Sequence, residues 1–149
     1  MRKIASVSAA AALIAAGALF YPSVSSAEAI EAVLYKNPQC GCCQDHADYL
    51  EENGFSVEVV ETHDLPLIKQ EHEVPADLAG CHTILVDDYV VEGHVTAETI
   101  KRLLDEEPDV AGISLPGMPL GSPGMSGPKQ APLEVFTFGG GDSRLYATE

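Results

Sequence analysis

The chain has 149 residues, a length that suits one folded domain with short appended segments. Its formal net charge is −15, which disfavours binding to nucleic acid or anionic lipid and favours cations or basic partners. The sequence contains no recognisable Ser-His-Asp set, phosphate-binding loop or glycosidase-like pair of carboxylates, so it gives no support to those enzyme classes.

The first 27 residues have the pattern of a secretory signal peptide. Two basic residues near the start precede an almost wholly small or apolar stretch over residues 9–20. Small residues before Ala27 predict cleavage after that position, with a cut after Ala29 as the alternative. The other interpretation is an uncleaved anchor, but the apolar stretch is short for a span of about 20 residues. We therefore expect an exported domain over residues 28–149 that does not span a membrane after cleavage.

The mature chain begins with a predicted strand, helix and strand. Residues 32–35 are apolar and predict a central strand. The cysteine cluster that follows begins a helix running to about Asn53, and Gly54 lies where such a helix ends. Residues 55–60 alternate and are β-branched, which predicts the second strand.

The middle of the chain predicts a short helix, a hairpin and a longer helix. The short helix covers residues 64–73. Residues 83–86 and 89–92 form the strands of the hairpin, joined by a tight turn. Thr96 then caps a helix to about Glu106, whose apolar positions lie on one buried face.

After Pro108 the chain becomes rich in glycine, proline and methionine, and we treat residues 108–149 as a C-terminal loop and edge strand. Residues 112–128 predict an irregular loop without helix or strand. Residues 133–138 alternate and predict an edge strand or a segment packed back on the domain. The order of elements predicts an α/β fold with a mixed sheet and flanking helices, the thioredoxin-like arrangement.

Three of the four cysteines lie together as Cys40, Cys42 and Cys43. Adjacent cysteines are poorly placed to pair with each other, so the cluster favours a metal or redox exchange over two structural disulfides. At the N-terminus of the predicted helix, the helix dipole favours the thiolate, the form that binds metals and attacks disulfides. In an oxidising compartment, we expect the metal-free thiols to form a disulfide, most simply between Cys40 and Cys43.

The fourth cysteine, Cys81, precedes the third strand. In thioredoxin-like folds the loop at this point packs against the C-x-x-C loop and carries a cis-proline. Here His82 takes the place of that proline, and Cys81 the place before it. We therefore expect the sulfur of Cys81 to face the other three, although Cys81 as a small buried apolar residue is the alternative.

The combined motifs resemble those of the bacterial periplasmic copper-resistance proteins of the CopG type. They are Cys-Gly-Cys-Cys, Gly-Cys-His-Thr, Val-Glu-Gly-His and Gly-Met-Pro-Leu-Gly-Ser-Pro-Gly-Met. The resemblance covers nearly all of residues 28–149. It implies a periplasmic, thioredoxin-like protein whose cysteines hold a copper cluster and which converts copper between its two oxidation states. The missing cis-proline argues against ordinary dithiol–disulfide exchange.

Soft sulfur ligands also favour copper independently of that resemblance, because thiolate and thioether select Cu(I). Beyond the cysteines, two methionines lie on the flexible loop, and three histidines lie near the cysteines or beside the hairpin. The candidate copper ligands are Cys40, Cys42, Cys43, Cys81, Met118, Met125, His46, His82 and His94. For the methionines, loop packing is the alternative, and for the histidines it is a hydrogen-bonded or solvated ring. His63 and His72 lie in acidic stretches and are predicted surface residues.

Three functions fit these residues. The first is a copper-binding protein that interconverts Cu(I) and Cu(II), and is thus a copper oxidoreductase. A periplasmic copper chaperone or a copper exporter is its candidate partner. The second is a thiol–disulfide oxidoreductase that uses Cys40 and Cys43. The third is a passive copper chaperone or buffer, which shares all ligands with the first and is not distinguished from it by the sequence.

Overall fold

The computed structural model describes residues 28–149. The predicted signal peptide, residues 1–27, lies outside the described residues. Within the described part, no helix is long and apolar enough to cross a membrane.

Residues 28–149 fold around one seven-stranded mixed sheet in the order β2-β1-β3-β4-β5-β6-β7. The strands are β1 (Ile30–Lys36), β2 (Phe55–Glu61), β3 (His82–Val86), β4 (Tyr89–Glu92), β5 (Gly112–Ser114), β6 (Glu134–Phe138) and β7 (Leu145–Thr148). β1 is parallel to β2 and antiparallel to β3, and β4 is parallel to β5. The apolar strand predicted at residues 32–35 is therefore interior to the sheet, because β1 lies between β2 and β3.

Helices cover both faces of the sheet. They are α1 (Gly41–Glu52), α2 (Leu65–Glu71) and α3 (Ala97–Glu106), with a short 3-10 helix over Ala76–Leu78. Leu50 of α1 and Leu103 of α3 share one buried cluster with Leu34 and Ile84, so both helices lie on that face. Lys69 of α2 contacts the side chains of Thr83 and Glu92, which point to the opposite face. This layered arrangement confirms the predicted thioredoxin-like α/β fold.

Helix α3 has the N-cap and the buried face that its sequence predicts. Thr96 is its N-cap, and the Thr96 hydroxyl accepts a hydrogen bond from the amide of Thr99 at 3.2 Å. Ile100 and Leu103 are fully buried, as their spacing predicts. The helix ends at Glu106, and its C-cap residue, Glu107, adopts a left-handed conformation immediately before Pro108.

The prediction that residues 112–128 contain no strand is wrong for residues 112–114. Gly112–Ser114 form β5, a buried strand that joins β4 to β6. Gly112 is required here by close packing, since a Cβ atom at this position would collide with the carbonyl of Val90 and lie 2.8 Å from the ring of Phe138. The glycine that indicated a loop in the sequence instead allows a tightly packed strand.

The strand predicted at residues 133–138 is confirmed, but the prediction that it lies at an edge of the sheet is wrong. That segment forms β6, which lies between β5 and β7. The edge strand on this side of the sheet is β7, over Leu145–Thr148, which the sequence analysis did not identify. A glycine-rich turn returns the chain so that β7 pairs antiparallel with β6, and β6 thereby becomes an interior strand.

Candidate metal centre

The N-terminus of α1 carries three of the four cysteines. Cys40 occupies the N-cap position with extended backbone, and its amide donates to the carbonyl of Asn37 at 2.9 Å. Cys42 and Cys43 lie in the first turn of the helix. Cys43 is fully buried, whereas Cys40 and Cys42 are half-buried. The cluster is therefore placed at the positive end of the helix dipole, as the sequence predicts.

Cys81 completes a group of four sulfurs. Its Sγ lies 3.5 Å from Sγ of Cys43, and the sulfurs of Cys40 and Cys42 are 3.4 Å apart. All four sulfurs lie within 4.8 Å of one another. Cys40 and Cys43 form a disulfide with Cα atoms 5.4 Å apart, which confirms the expected pairing of the metal-free thiols. Cys42 and Cys81 are free thiols.

The sheet brings Cys81 to this position. β3 pairs antiparallel with β1, and His82 lies opposite Lys36 in the register. Because Lys36 is the last residue of β1, the residue before His82 must lie beside the loop that leads into α1. The long separation in sequence between Cys43 and Cys81 is thus closed by strand pairing.

Two histidines contact the sulfur of Cys81. Nε2 of His94 lies 2.9 Å from the sulfur, and Nδ1 of His82 lies 3.3 Å from it. Both rings are fully buried. Ligating atoms of Cys43, Cys81, His82 and His94 lie within 4.8 Å of one another, so this second group overlaps the four sulfurs.

His46 lies behind His82 rather than against the cysteines. Its Nδ1 is 2.8 Å from Nε2 of His82, and its Nε2 is 2.9 Å from the carbonyl oxygen of Val95. Both ring nitrogens therefore have partners inside the protein. The structure brings the rings of His46, His82 and His94 together, with centroids 4.7 to 4.9 Å apart. Of the other two histidines, His63 is exposed and His72 is half-buried.

Burial keeps these imidazoles neutral. It lowers the pKa of His46 to about 3, with a further contribution from His94, and it lowers the pKa of His82 well below its usual value. Burial also lowers the pKa of His94. A neutral imidazole carries one nitrogen lone pair, which is the form that binds metals.

Burial has the opposite effect on the thiol of Cys81. Burial, with a smaller contribution from the nearby Cys42, raises the pKa of Cys81 to about 12. Without a metal, Cys81 is therefore held as a neutral thiol beside neutral imidazoles. A metal ion supplies the positive charge that stabilises the thiolate, so binding at Cys81 releases a proton.

A buried acidic residue that the sequence analysis did not identify as part of the site supports the loop that carries Cys81. Glu92 is fully buried in β4 and forms an ion pair with Lys69 of α2. Its carboxylate accepts hydrogen bonds at 2.8 Å from the amide of Gly80 and from the hydroxyl of Thr83. These contacts fix the backbone on both sides of Cys81. An acidic residue inside an apolar strand, preceded by two valines, was the available sequence signal.

The glycine- and proline-rich loop packs over the site. The carbonyl of Pro123 lies 2.6 Å from Nδ1 of His94. Gly124 has a φ of +76° and lies so close to the first turn of α1 that a Cβ atom would approach the carbonyl of Cys42 to 2.8 Å. Only glycine fits this contact, and it brings the loop directly over the cysteine cluster.

The two loop methionines differ in exposure. Met125, next to Gly124, is half-buried, whereas 57% of the surface of Met118 is exposed. Their predicted ligation of copper stays a prediction. Contacts of this loop with His94 and with α1 are nevertheless consistent with a cover over the sulfur cluster.

Comparison with known proteins gives both a sequence family and solved structures. A family model described as "Protein of unknown function, DUF411" matches residues 78–125. A solved structure named "Copper resistance protein copG- Form 2" is 36% identical, has a TM-score of 0.77, and aligns over 82% of this chain and 99% of its own. The structure named "Copper resistance protein copG- Form 1" is also 36% identical, with a TM-score of 0.76 and coverage of 82% and 98%. No curated protein matches the chain.

Proposed function

Because the chain belongs to the family of copper resistance protein CopG, we propose that it serves copper resistance by binding copper at its cysteine cluster and interconverting Cu(I) and Cu(II). The proposed ligands are the thiolates of Cys40, Cys42, Cys43 and Cys81. Copper is the substrate of this reaction. The role in copper resistance follows from the family, and the redox step is our proposal.

The observation that carries this proposal is the convergence of four sulfurs within 4.8 Å. Thiolates are soft ligands that select Cu(I), and several thiolates in one place can be shared by more than one ion. The position at the N-terminus of α1 favours the negative charge of the thiolates. Crowded sulfurs with little exposure suit retention of Cu(I) better than release to solvent.

The disulfide offers a route for electrons between cysteines and copper. Cleavage of the bond between Cys40 and Cys43 needs two electrons and yields two thiolates. Two Cu(I) ions supply those electrons when they become two Cu(II) ions. In the reverse direction, two thiolates reduce two Cu(II) ions to two Cu(I) ions and form the disulfide, so electrons balance in both directions.

The remaining candidate ligands differ in their contacts with the sulfurs. His82 and His94 contact Cys81 directly. Met118 and Met125 lie on the loop that packs over the cluster. His46 has both ring nitrogens engaged elsewhere, so its ligation would require loss of the contact with His82 or with Val95.

A thiol–disulfide oxidoreductase is the second candidate, supported by the disulfide at the start of α1. Such an enzyme needs an accessible attacking thiolate and a resolving thiol. Here Cys42 and Cys81 lie within the same group as the disulfide, where they can trap mixed disulfides. His82 also replaces the proline of the substrate-binding loop. These features favour copper chemistry, and a passive copper buffer remains the third candidate because it uses the same ligands.

We also propose that the protein works in the periplasm. The support is the signal-peptide pattern of residues 1–27, which predicts a mature domain over residues 28–149. In that compartment a copper chaperone or exporter is a chemically suitable partner, since it would deliver or remove the same ion.

Metal analysis of protein purified from the periplasm of copper-fed cells tests this function. We expect copper bound to a chain whose intact mass corresponds to a start at or near Glu28. A matched sample in which Cys40, Cys42, Cys43 and Cys81 are all changed to serine should contain no copper. Recovery of the unmodified parent without copper, or with zinc in its place, would contradict the proposal.

A further inference from the structure

The disulfide form of the protein retains part of the cluster. Metal binding requires a thiolate, so the disulfide between Cys40 and Cys43 removes both of those sulfurs as anionic ligands. Cys42 and Cys81 remain as thiols. Of these two, Cys81 contacts two imidazole nitrogens, so the surroundings of its sulfur decide what this oxidised form can bind.

A backbone carbonyl determines which nitrogen of His82 carries hydrogen. The oxygen of Val95 can only accept, so Nε2 of His46 donates to it over 2.9 Å. Nδ1 of neutral His46 is then an acceptor, and Nε2 of His82 donates to it over 2.8 Å. Nδ1 of His82 consequently has no hydrogen, and its lone pair points at the sulfur of Cys81, 3.3 Å away.

A second carbonyl has the same effect on His94. The oxygen of Pro123 accepts from Nδ1 of His94 over 2.6 Å. Nε2 of neutral His94 is therefore the nitrogen without hydrogen, and it lies 2.9 Å from the sulfur of Cys81. Two carbonyls from different segments of the chain thus direct two nitrogen lone pairs at one sulfur.

One thiol cannot satisfy two acceptors. The thiol of Cys81 has a single proton, which it can donate to His82 or to His94 but not fully to both. A cation that replaces this proton would interact with both lone pairs and with the thiolate at once. One thiolate and two imidazoles form a His2Cys set, which is a known ligand set for copper in electron-transfer sites.

We propose that the disulfide form holds a single copper ion at a second site made of Cys81 Sγ, His82 Nδ1 and His94 Nε2. This proposal rests on the proposed function, because it assumes that copper reaches the cluster. Binding replaces the thiol proton of Cys81, which passes to solvent, and involves no electron transfer. The protein would therefore keep one copper ion when Cys40 and Cys43 are oxidised, and bind more when they are reduced.

A variant with one remaining thiol isolates this site. In Cys42→Ser with the disulfide intact, Cys81 is the single thiol among residues 28–149. Anaerobic titration with Cu(I), against a competing Cu(I) chelator, should give one copper ion per chain. The bound ion should protect Cys81 from alkylation, and X-ray absorption should show nitrogen and sulfur ligands in a ratio of two to one.

Two further variants serve as test and control. His94→Gln in the same background should lose the bound ion, whereas His63→Gln should retain it, because His63 is exposed and belongs to neither ligand group. Thermal unfolding establishes that each variant is folded. If His94→Gln does not fold, alkylation protection and X-ray absorption of the single-thiol protein decide the question.

The outcomes separate this inference from the proposed function. If the disulfide form binds no copper while the reduced parent binds several Cu(I) ions, the second site is wrong and the cysteine cluster stands. If a copper ion stays bound in His94→Gln, the site is also wrong as assigned. If neither redox form binds copper, both proposals are wrong.

Discussion

The sulfur of Cys81 lies 2.9 Å from Nε2 of His94, although the two residues are 13 positions apart. The hairpin of β3 and β4 produces this contact, because its antiparallel strands bring the residue before β3 close to the residues that follow β4. The same hairpin pairs with β1 and so places both side chains against the N-terminus of α1. A local turn between two strands therefore joins the histidines to the cysteine cluster.

Removal of the Cys81 sulfur tests whether this residue is part of the copper site. Cys81→Ser should lower the number of Cu(I) ions bound by the reduced protein, since a hydroxyl is a poor ligand for a soft ion. The fold should be largely intact, because Cys81 is only half-buried and lies outside the apolar core. Copper content and thermal unfolding measure the two effects. Unchanged copper content and affinity would exclude Cys81 as a ligand.

The buried ion pair behind Cys81 should contribute substantially to stability. Glu92→Gln leaves the ammonium of Lys69 without its partner, and loss of one member of a buried pair typically costs about 3–5 kcal/mol. The matched control is Glu61→Gln, which breaks the ion pair with Lys36. This pair is a suitable control because the side chain of Glu61 is 56% exposed. That change should cost about 1 kcal/mol or less. Urea unfolding of both variants measures the two losses of unfolding free energy. Equal losses would contradict the proposal that Glu92 supports the Cys81 loop.

Neutral His46 predicts a specific pH dependence in the metal-free protein. Its pKa is lowered from 6.5 to about 3 on folding, so the unfolded chain binds the proton first as pH falls. The stabilisation of the folded state by neutral His46 is complete above about pH 6.5 and decreases below it, by about 2 kcal/mol at pH 5.

His46→Gln removes this titration and provides the comparison. The difference in unfolding free energy between the parent and this variant should be smaller at pH 5 than at pH 7.5. Urea unfolding of both proteins at both values measures that change. A difference that is the same at the two pH values would show that His46 does not stay neutral in the folded state.

Crowding at the disulfide predicts weak oxidoreductase activity. The free thiols of Cys42 and Cys81 lie in one group with Cys40 and Cys43, where wrong mixed disulfides form easily. We therefore expect the purified protein to reduce insulin disulfides poorly or not at all, as judged by insulin precipitation. Vigorous reduction that survives Cys42→Ser and Cys81→Ser together, in protein that retains no copper, would favour the oxidoreductase.

The sequence predicted those elements whose signals are local. The cap at Thr96 and the spacing of Ile100 and Leu103 predicted α3, and a tight turn between two short strands predicted the hairpin. β5 was missed because Gly112 is typical of loops, and its role depends on the close approach of Val90 and Phe138, which are distant in sequence. No pattern in the isolated sequence reports such a contact.

The candidate site likewise has one part that the sequence could predict and another that it could not. The position of Cys81 could be predicted because the thioredoxin-like arrangement fixes which loop faces the start of α1. The hydrogen bonds of His46 to Val95 and of His94 to Pro123 could not, because backbone carbonyls carry no signal in the sequence. These contacts nevertheless determine which ring nitrogens face the sulfur.

Copper uptake by the fully reduced protein tests the central claim most directly. Reduced chains, freed of metal and titrated anaerobically, should bind more than one Cu(I) ion each through the four thiolates and give no electron paramagnetic resonance signal. Addition of a one-electron oxidant should then produce the signal of protein-bound Cu(II). Uptake of no more than one Cu(I) ion per chain, or copper that stays silent after oxidation, would contradict the account of a redox-active copper cluster.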